Sequence, residues 1–515
     1  MEYNTMMSLL VWSSLFLSAA LILLFSRKKS GNGKQQPPGP PGWPIIGNIL
    51  DLGTFPHQNF YKLRSKYGPV LWLKLGSVNT MVIQSAKAAT EFFKNHDHIF
   101  CDRKSPIVLT AHNYSQGSLA LGRYGVYWRI IRRLCSMELL VNKKINETAS
   151  IRVKCIDNMI ENIEEDSSAA QARGELGEVD LSQYLFFMAF NLVGKLTLSR
   201  DLLDSHSKEG QEFFEAMKKV MEWAGKPNLA DFLPFLKRLD PQGIKRNMVR
   251  DMGCSLKIVS GFVKERIEEQ CSREKTNKDF LDGLLDYEGD GKEGLDRISD
   301  QNVKIIILEM FFAGSETTSS TIEWAIAELL RNPEFMRKTK EELDRVVGQK
   351  RKVEEKDIDE LPYLKAVVKE TLRLHPPIPL LLPRNSMQET NFMGYLIPKD
   401  TQVFVNAWAI GRDPECWEDP MSFKPERFLG SNIEIKGQNF EFIPFGSGRR
   451  ICVGISLAER ALHLGVASLL HYFDWELGKD VTPESLDMNE RMGITVRKLV
   501  PLKVIPKKRI MLERS

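Results

Sequence analysis

From about residue 85 to 375 apolar positions recur mostly at helical spacing, while short runs nearer the two ends cluster as strands do. Val70–Leu75 and Thr80–Ile83 predict two short strands joined at Gly76-Ser77, and Phe392–Ile397 and Val403–Asn406 predict two more. Gln301–Leu330 predicts one long helix and Ser456–Phe473 another. The polar stretches Ser167–Glu178 and Glu288–Glu293 read as surface loops, not domain boundaries. No internal repeat is present. The pattern implies a mainly α body carrying small β-sheets.

The N-terminus breaks this pattern. Tyr3 to Ser26 carries no charge and is rich in Leu, Ile, Val, Phe and Met. A helix of that length crosses a hydrocarbon core of ~30 Å. Arg27, Lys28, Lys29 and Lys34 follow at once, which places the N-terminus in the lumen and the body in the cytosol. A cleaved signal peptide is the alternative. Against it, the apolar run continues through Leu24 and Phe25, and the start lacks a basic region. The expected layout is a transmembrane signal anchor at 1–26, a basic and proline-rich linker at 27–44, and one domain at 45–515. In the linker, Pro37-Pro38-Gly39-Pro40-Pro41 is a stiff extended spacer. The sequons at Asn113 and Asn146 are expected to stay unmodified on a cytosolic body.

Composition narrows the function. The chain has 515 residues, 43% hydrophobic and 27% charged, enough to bury a large core. Its net charge of +4 is too thinly spread to argue for nucleic acid. The seven cysteines are odd in number and none forms a CxxC pair, so neither a disulfide framework nor a zinc site is indicated. Free thiols in a reducing compartment remain.

Cys452 stands out. In Phe445-Gly446-Ser447-Gly448-Arg449-Arg450-Ile451-Cys452-Val453-Gly454 the glycines let backbone N–H groups approach the sulfur. Those donors and the following helix favour a thiolate over a thiol. Arg450 can pair with a carboxylate of a bound cofactor. A phosphate loop would need Lys-Ser/Thr after the glycines, and a dinucleotide fingerprint a third glycine at Ile451. A buried inert cysteine is the plain alternative.

Four segments, in one order, remove that alternative. Phe445, Gly448, Arg450, Cys452 and Gly454 resemble the heme-binding signature of the cytochrome P450 superfamily. Glu370-Thr371-Leu372-Arg373 resembles its ExxR helix, and Pro425-Glu426-Arg427-Phe428 its PERF segment. Ala313-Gly314-Ser315-Glu316-Thr317-Thr318 resembles its oxygen-binding helix. The likeness runs from Pro37 to the C-terminus, departing at Val453, where proline or alanine is common.

The resemblance implies a P450 fold with heme b between a long central helix and the cysteine loop. Cys452 is then the iron's thiolate ligand, whose electron density favours O–O cleavage. It implies that Thr317 and Glu316 serve oxygen binding and proton relay, while Ala313 and Gly314 make room for the flat cofactor. Thr317 can also take over a backbone carbonyl and bend the helix. Trp128 and Arg132, one helical turn apart, and Arg384 become propionate partners. Glu370, Arg373 and Arg427 become a buried structural network. Glu309 either touches substrate or caps nearby backbone, and capping is favoured.

No nicotinamide or flavin site accompanies these residues, so electrons must come from a partner. The resemblance makes it the NADPH-dependent cytochrome P450 reductase of the endoplasmic reticulum, docked on Arg129, Arg132, Arg133, Lys143, Lys144 and Arg449. Ile107, Val108, Leu109, Phe312, Ile378, Leu380 and Ile494 predict an apolar pocket for a small hydrophobic substrate. Gly225–Pro234 and Asp240–Gly243 resemble the plant branch of geraniol hydroxylases and terpenoid and iridoid oxidases. The expectation is an ER-anchored, NADPH- and O2-dependent monooxygenase acting on a mono- or diterpenoid. A reductase-independent heme-thiolate isomerase or dehydratase, and a non-enzymatic membrane heme sensor, are the alternatives.

Overall fold

The computed structural model describes residues 12–16, 18, 36–202, 208–270, 278–289 and 294–509. Most of the expected anchor therefore lies outside the described residues. Among them no helix is long and apolar enough to cross a membrane.

The helices that build the site are α1 (Pro56–Tyr67), α2 (Val126–Cys135), α3 (Ala149–Ala172), α4 (Leu181–Leu198), α5 (Lys208–Gly225), α6 (Ile244–Gln270), α7 (Asp300–Arg331), α8 (Pro362–Leu374) and α9 (Ile455–Tyr472). A four-stranded sheet contains β1 (Val70–Leu75), β2 (Val78–Ile83), β3 (Arg384–Asn385) and β4 (Gln402–Val405), ordered β1-β2-β4-β3. The β2–β4 pair is parallel and the others antiparallel. A hairpin of β5 (Glu490–Arg491) and β6 (Arg497–Lys498) lies near the C-terminus.

Helix α7 organises the body. Its N-cap Ser299 accepts the Asn302 N–H, and from Thr318 to Leu330 every side chain is buried. A helix buried all round needs partners on all sides. It finds them in α4, α6, α8 and α9, which share one core with it. Rings interlock there: Phe190 and Phe311 lie 4.7 Å apart, and Phe213 meets Phe311 edge-on at 5.3 Å.

Two expectations change. The Ser167–Glu178 loop starts later, because Ser167–Ala172 continues α3; that stretch is rich in alanine, the best helix former. Phe392–Ile397 is not one strand but a hairpin, Thr390–Phe392 paired with Tyr395–Ile397. Met393 (φ 50°) and Gly394 (φ 86°) make its turn, since two consecutive left-handed residues match the twist of paired strands.

Candidate active site

The cysteine loop is clamped from four directions. Gly446 and Gly448 have φ of 73° and 68°, and a Cβ on Gly448 would fall 2.3 Å from Asp97 Oδ1. Asp97 fills that space and accepts from Arg449 N (3.0 Å), Arg449 Nη1 (2.9 Å) and Arg384 Nη1 (3.1 Å). Arg384 Nη2 donates to Ser447 O at 2.9 Å and Arg132 Nη2 to Ile451 O at 2.8 Å. Inside the loop the Cys452 N–H donates to Phe445 O at 3.0 Å, and α9 begins just after Gly454.

Cys452 presents accessible surface although protein encloses it. Burial is the largest influence on its thiol and pushes the pKa up, against the Gly454 N–H and the Arg132 charge, which pull it down. The N–H donor and the Arg132 charge act in the direction the loop was expected to supply, and a metal cation on the sulfur would favour the thiolate further.

Ala313, midway along α7, is also exposed, and Thr317 one turn on is half-buried. Interior surface of this kind marks a chamber. Thr317 Oγ1 donates to Ala313 O at 2.6 Å, as its position predicted. Gly314 does something else: a Cβ there would lie 2.7 Å from Val193 Cγ2, so the glycine lets α4 pack closely and does not widen the chamber. Glu316 is buried and ion-paired with Arg497 Nε at 3.0 Å, while its Oε2 has no partner. Burial raises its pKa, and Arg497 and Thr495 oppose the rise.

Above the loop, arginines converge. Arg384 and Arg450 are buried, as is Arg103, which was expected at the start of a pocket-lining loop and not at the cofactor. Burial lowers the pKa of all three, most strongly for Arg103, and repulsion among them and from Arg132 lowers each further. Arg450 lies 3.9 Å over the Trp128 ring and Arg132 5.5 Å from it. Arg450 donates to the carbonyls of Cys101 (2.9 Å), Leu119 (3.5 Å) and Gly122 (2.7 Å), and the Trp128 indole N–H donates to Leu119 O (2.8 Å). Both fix the loop wall, and Arg450 keeps further N–H groups outside these bonds. Arg103 Nε lacks an acceptor.

Glu309 is the cap that was favoured. It accepts from Tyr114 Oη (3.2 Å), Ser118 Oγ, Leu119 N (2.6 Å) and Ala120 N (3.2 Å), pinning the 114–120 loop to α7. Of the expected pocket residues, Leu380 packs instead with Leu71, Leu73 and Phe60, and Val108 and Leu109 lie in the main core. Phe312, Ile378 and Ile494 are half-buried.

A flat, dianionic iron porphyrin fits this donor set. One accessible sulfur lies within reach of the Arg132 field, a small-residue strip (Ala313, Thr317) offers interior surface, and a cluster of mutually repelling guanidiniums needs anionic compensation.

The family described as Cytochrome P450 matches residues 37–504. An iridoid oxidase of Catharanthus roseus is 60% identical over 95% of this chain and 95% of its own length. Geraniol 8-hydroxylase of the same plant is 41% identical, covering 95% of this chain and 99% of its own. A zebrafish cytochrome P450 solved with progesterone superposes with a TM-score of 0.72 at 28% identity, covering 88% of this chain and 99% of its own.

Proposed function

The chain belongs to the cytochrome P450 family, and from that premise we propose that it hydroxylates a small terpenoid, iridoid precursors included, at the endoplasmic reticulum membrane. It is a heme enzyme and a monooxygenase, and Cys452 would hold the iron through its sulfur. Bound heme supplies O2 activation and transfer of one oxygen atom to a C–H bond.

The protein's residues do the rest. Arg103, Arg132, Arg384 and Arg450 would compensate the propionates' charge, while the Arg450 and Trp128 bonds to backbone carbonyls hold the wall in place. Thr317 carries a hydroxyl beside the Ala313 carbonyl, a place from which it orients a proton donor. Glu316, its neighbour in the chain, keeps one carboxylate oxygen without a partner and would serve as the acid that passes protons on. Half-buried Phe312, Ile378 and Ile494 exclude water and select an apolar substrate. The accessible Cys452 beneath the arginine rim is the observation that carries this reading. The isomerase and sensor readings have no use for the Glu316–Thr317 pair.

The terpenoid class rests on the names of the iridoid oxidase and geraniol 8-hydroxylase relatives. Membrane attachment through 1–26 has support from the body's surface: Trp43 and Ile45 on the linker side share a groove with Phe235 and are 65%, 71% and 66% exposed. Electrons come from the NADPH-dependent reductase, docked on the exposed Arg129, Arg133, Lys143 and Arg449. The test is product analysis of microsomes carrying this chain and the reductase, fed a terpenoid panel. An NADPH-dependent hydroxylated terpenoid is expected. Heme-loaded microsomes that oxidise no terpenoid overturn the substrate class.

A further inference from the structure

A cleft of about 430 Å³ opens between the first turn of α1, the C-terminal ends of α7 and α8, and the residues around β5. It shares no residue with the Cys452 chamber. Leu374, Met421, Met488 and Leu499 form an apolar side. Arg412, also in the lining, is 5% exposed, with its guanidinium 3.8 Å from the Trp408 ring centre. Neither Nε nor Nη1 of Arg412 meets an acceptor, and the Trp408 indole N–H is also unpartnered.

The acids of the cleft are already engaged. Glu328 Oε1 lies 2.7 Å from His375 Nε2, and Glu490 Oε2 lies 3.0 Å from His57 Nε2 and 2.9 Å from Gln58 Nε2. The Nδ1 atoms of His57 and His375 are also without partners. Burial lowers the Arg412 pKa to about 9, with Arg373 adding to the fall and Glu490, Glu328 and Glu370 resisting it. A buried cation with unpaired N–H groups is unfavourable unless an acceptor reaches it.

We propose that this cleft is a second ligand site, taking an amphipathic carboxylate whose oxyanion meets Arg412 and Trp408 while its apolar body lies along Leu374, Met421 and Met488. Guanidinium groups match carboxylates in geometry and charge. The volume suits a small molecule bearing one acid group. Arg331 stands exposed at the rim and adds charge of the right sign.

The test titrates octanoate calorimetrically into holoenzyme whose iron is capped by imidazole, following the Soret band in parallel. Saturable one-to-one heat with an unchanged Soret band is expected. Octanol, which lacks the charge, and inorganic phosphate, which lacks the tail, should each bind at least tenfold more weakly. Arg412→Gln should weaken octanoate at least tenfold, and the rim variant Arg331→Glu about fivefold, so the rim variant decides the matter if Arg412→Gln does not fold. Absence of saturable heat, heat accompanied by imidazole displacement, equal binding of octanol or phosphate, or undiminished affinity in the folded variants overturns the proposal.

Discussion

Two sets of buried arginines in this protein do opposite work, and the difference lies in how completely each is answered. Around Glu370 every charge is met. Its Oε2 and Oε1 accept from Arg373 Nε and Nη2, both at 2.7 Å, and Oε1 also accepts from Arg427 Nε at 3.0 Å and Lys424 N at 2.7 Å. The remaining guanidinium N–H groups go to the carbonyls of Gly411, Pro420, Ser422 and Glu418. Around Arg103, Arg132, Arg384 and Arg450 the positive charges face one another, and among the described residues Asp97 is the one acid that bonds directly to any of them. A closed network is scaffold, and a network left short of anions is a receptor. That rule separates residues that the sequence alone presents identically, as arginines near an apolar run.

Breaking the closed set should have the largest effect. Glu370→Ala leaves two buried guanidiniums unanswered and should cost about 3–5 kcal/mol. The loss should appear as failure to accumulate heme-loaded protein, or as a fall in Tm of the apoprotein. The same substitution tolerated without change in either would erase the contrast.

Glu323 lies between the two extremes, a buried acid answered by Leu502 N at 2.9 Å and by the nearby charge of Lys498. Burial raises its pKa to about 7. An acid whose folded pKa lies above its unfolded value is protonated in the folded chain while the unfolded chain ionises. Its stabilising contribution is therefore complete below about pH 4 and declines as pH rises toward 7, by roughly 2–3 kcal/mol. Glu323→Gln keeps an acceptor for Leu502 and should flatten this decline, so denaturant midpoints of the variant should exceed wild type at pH 7.5 and not at pH 4.5. Parallel pH profiles would show that Glu323 ionises without penalty.

The open set should respond in the reverse sense. Arg132→Ala removes a charge that repels its neighbours, so the apoprotein should lose less than about 1 kcal/mol. Heme affinity should fall about tenfold, the weight of one charge-assisted hydrogen bond. Heme transfer to an apo-acceptor protein measures this, and wild-type retention would remove Arg132 from the rim.

How much of this was legible depended on range. Cys452, the Glu370–Arg373 pair and the Thr317 turn are local patterns, fixed by spacing along a loop or a helix, and sequence suffices for them. The strand at Val70–Leu75 was legible for the same reason, and the one expected at Val403–Asn406 lies one residue earlier, at Gln402–Val405. Asp97 and Arg103 were not, because their partners are 287 to 352 residues away or in an aperiodic loop. Gly314 was misread because its neighbour Val193 comes from another helix. The carbonyl partners of Trp128 and Arg450 at Leu119, Cys101 and Gly122 were not legible, because they belong to irregular segments whose path no periodicity reveals.

The smallest effect belongs to Thr317, which tests whether the chamber's polar strip is receptor or scaffold. Its hydroxyl bonds to Ala313 O as a scaffold group would, and Thr321 repeats the pattern on Thr317 O at 2.8 Å. A purely structural hydroxyl would, on removal, change helix stability by about 0.5–1.5 kcal/mol and leave chemistry coupled. Removal of a hydroxyl that also orients a proton donor would add diverted electrons to that small stability change. Thr317→Ala should therefore retain heme and fold, and release severalfold more hydrogen peroxide per NADPH consumed. Thr317→Ser should restore most of the coupling, because it returns the hydroxyl without the methyl. Equal peroxide in all three proteins would assign Thr317 to the helix, leaving Glu316 as the strip's one candidate for moving a proton.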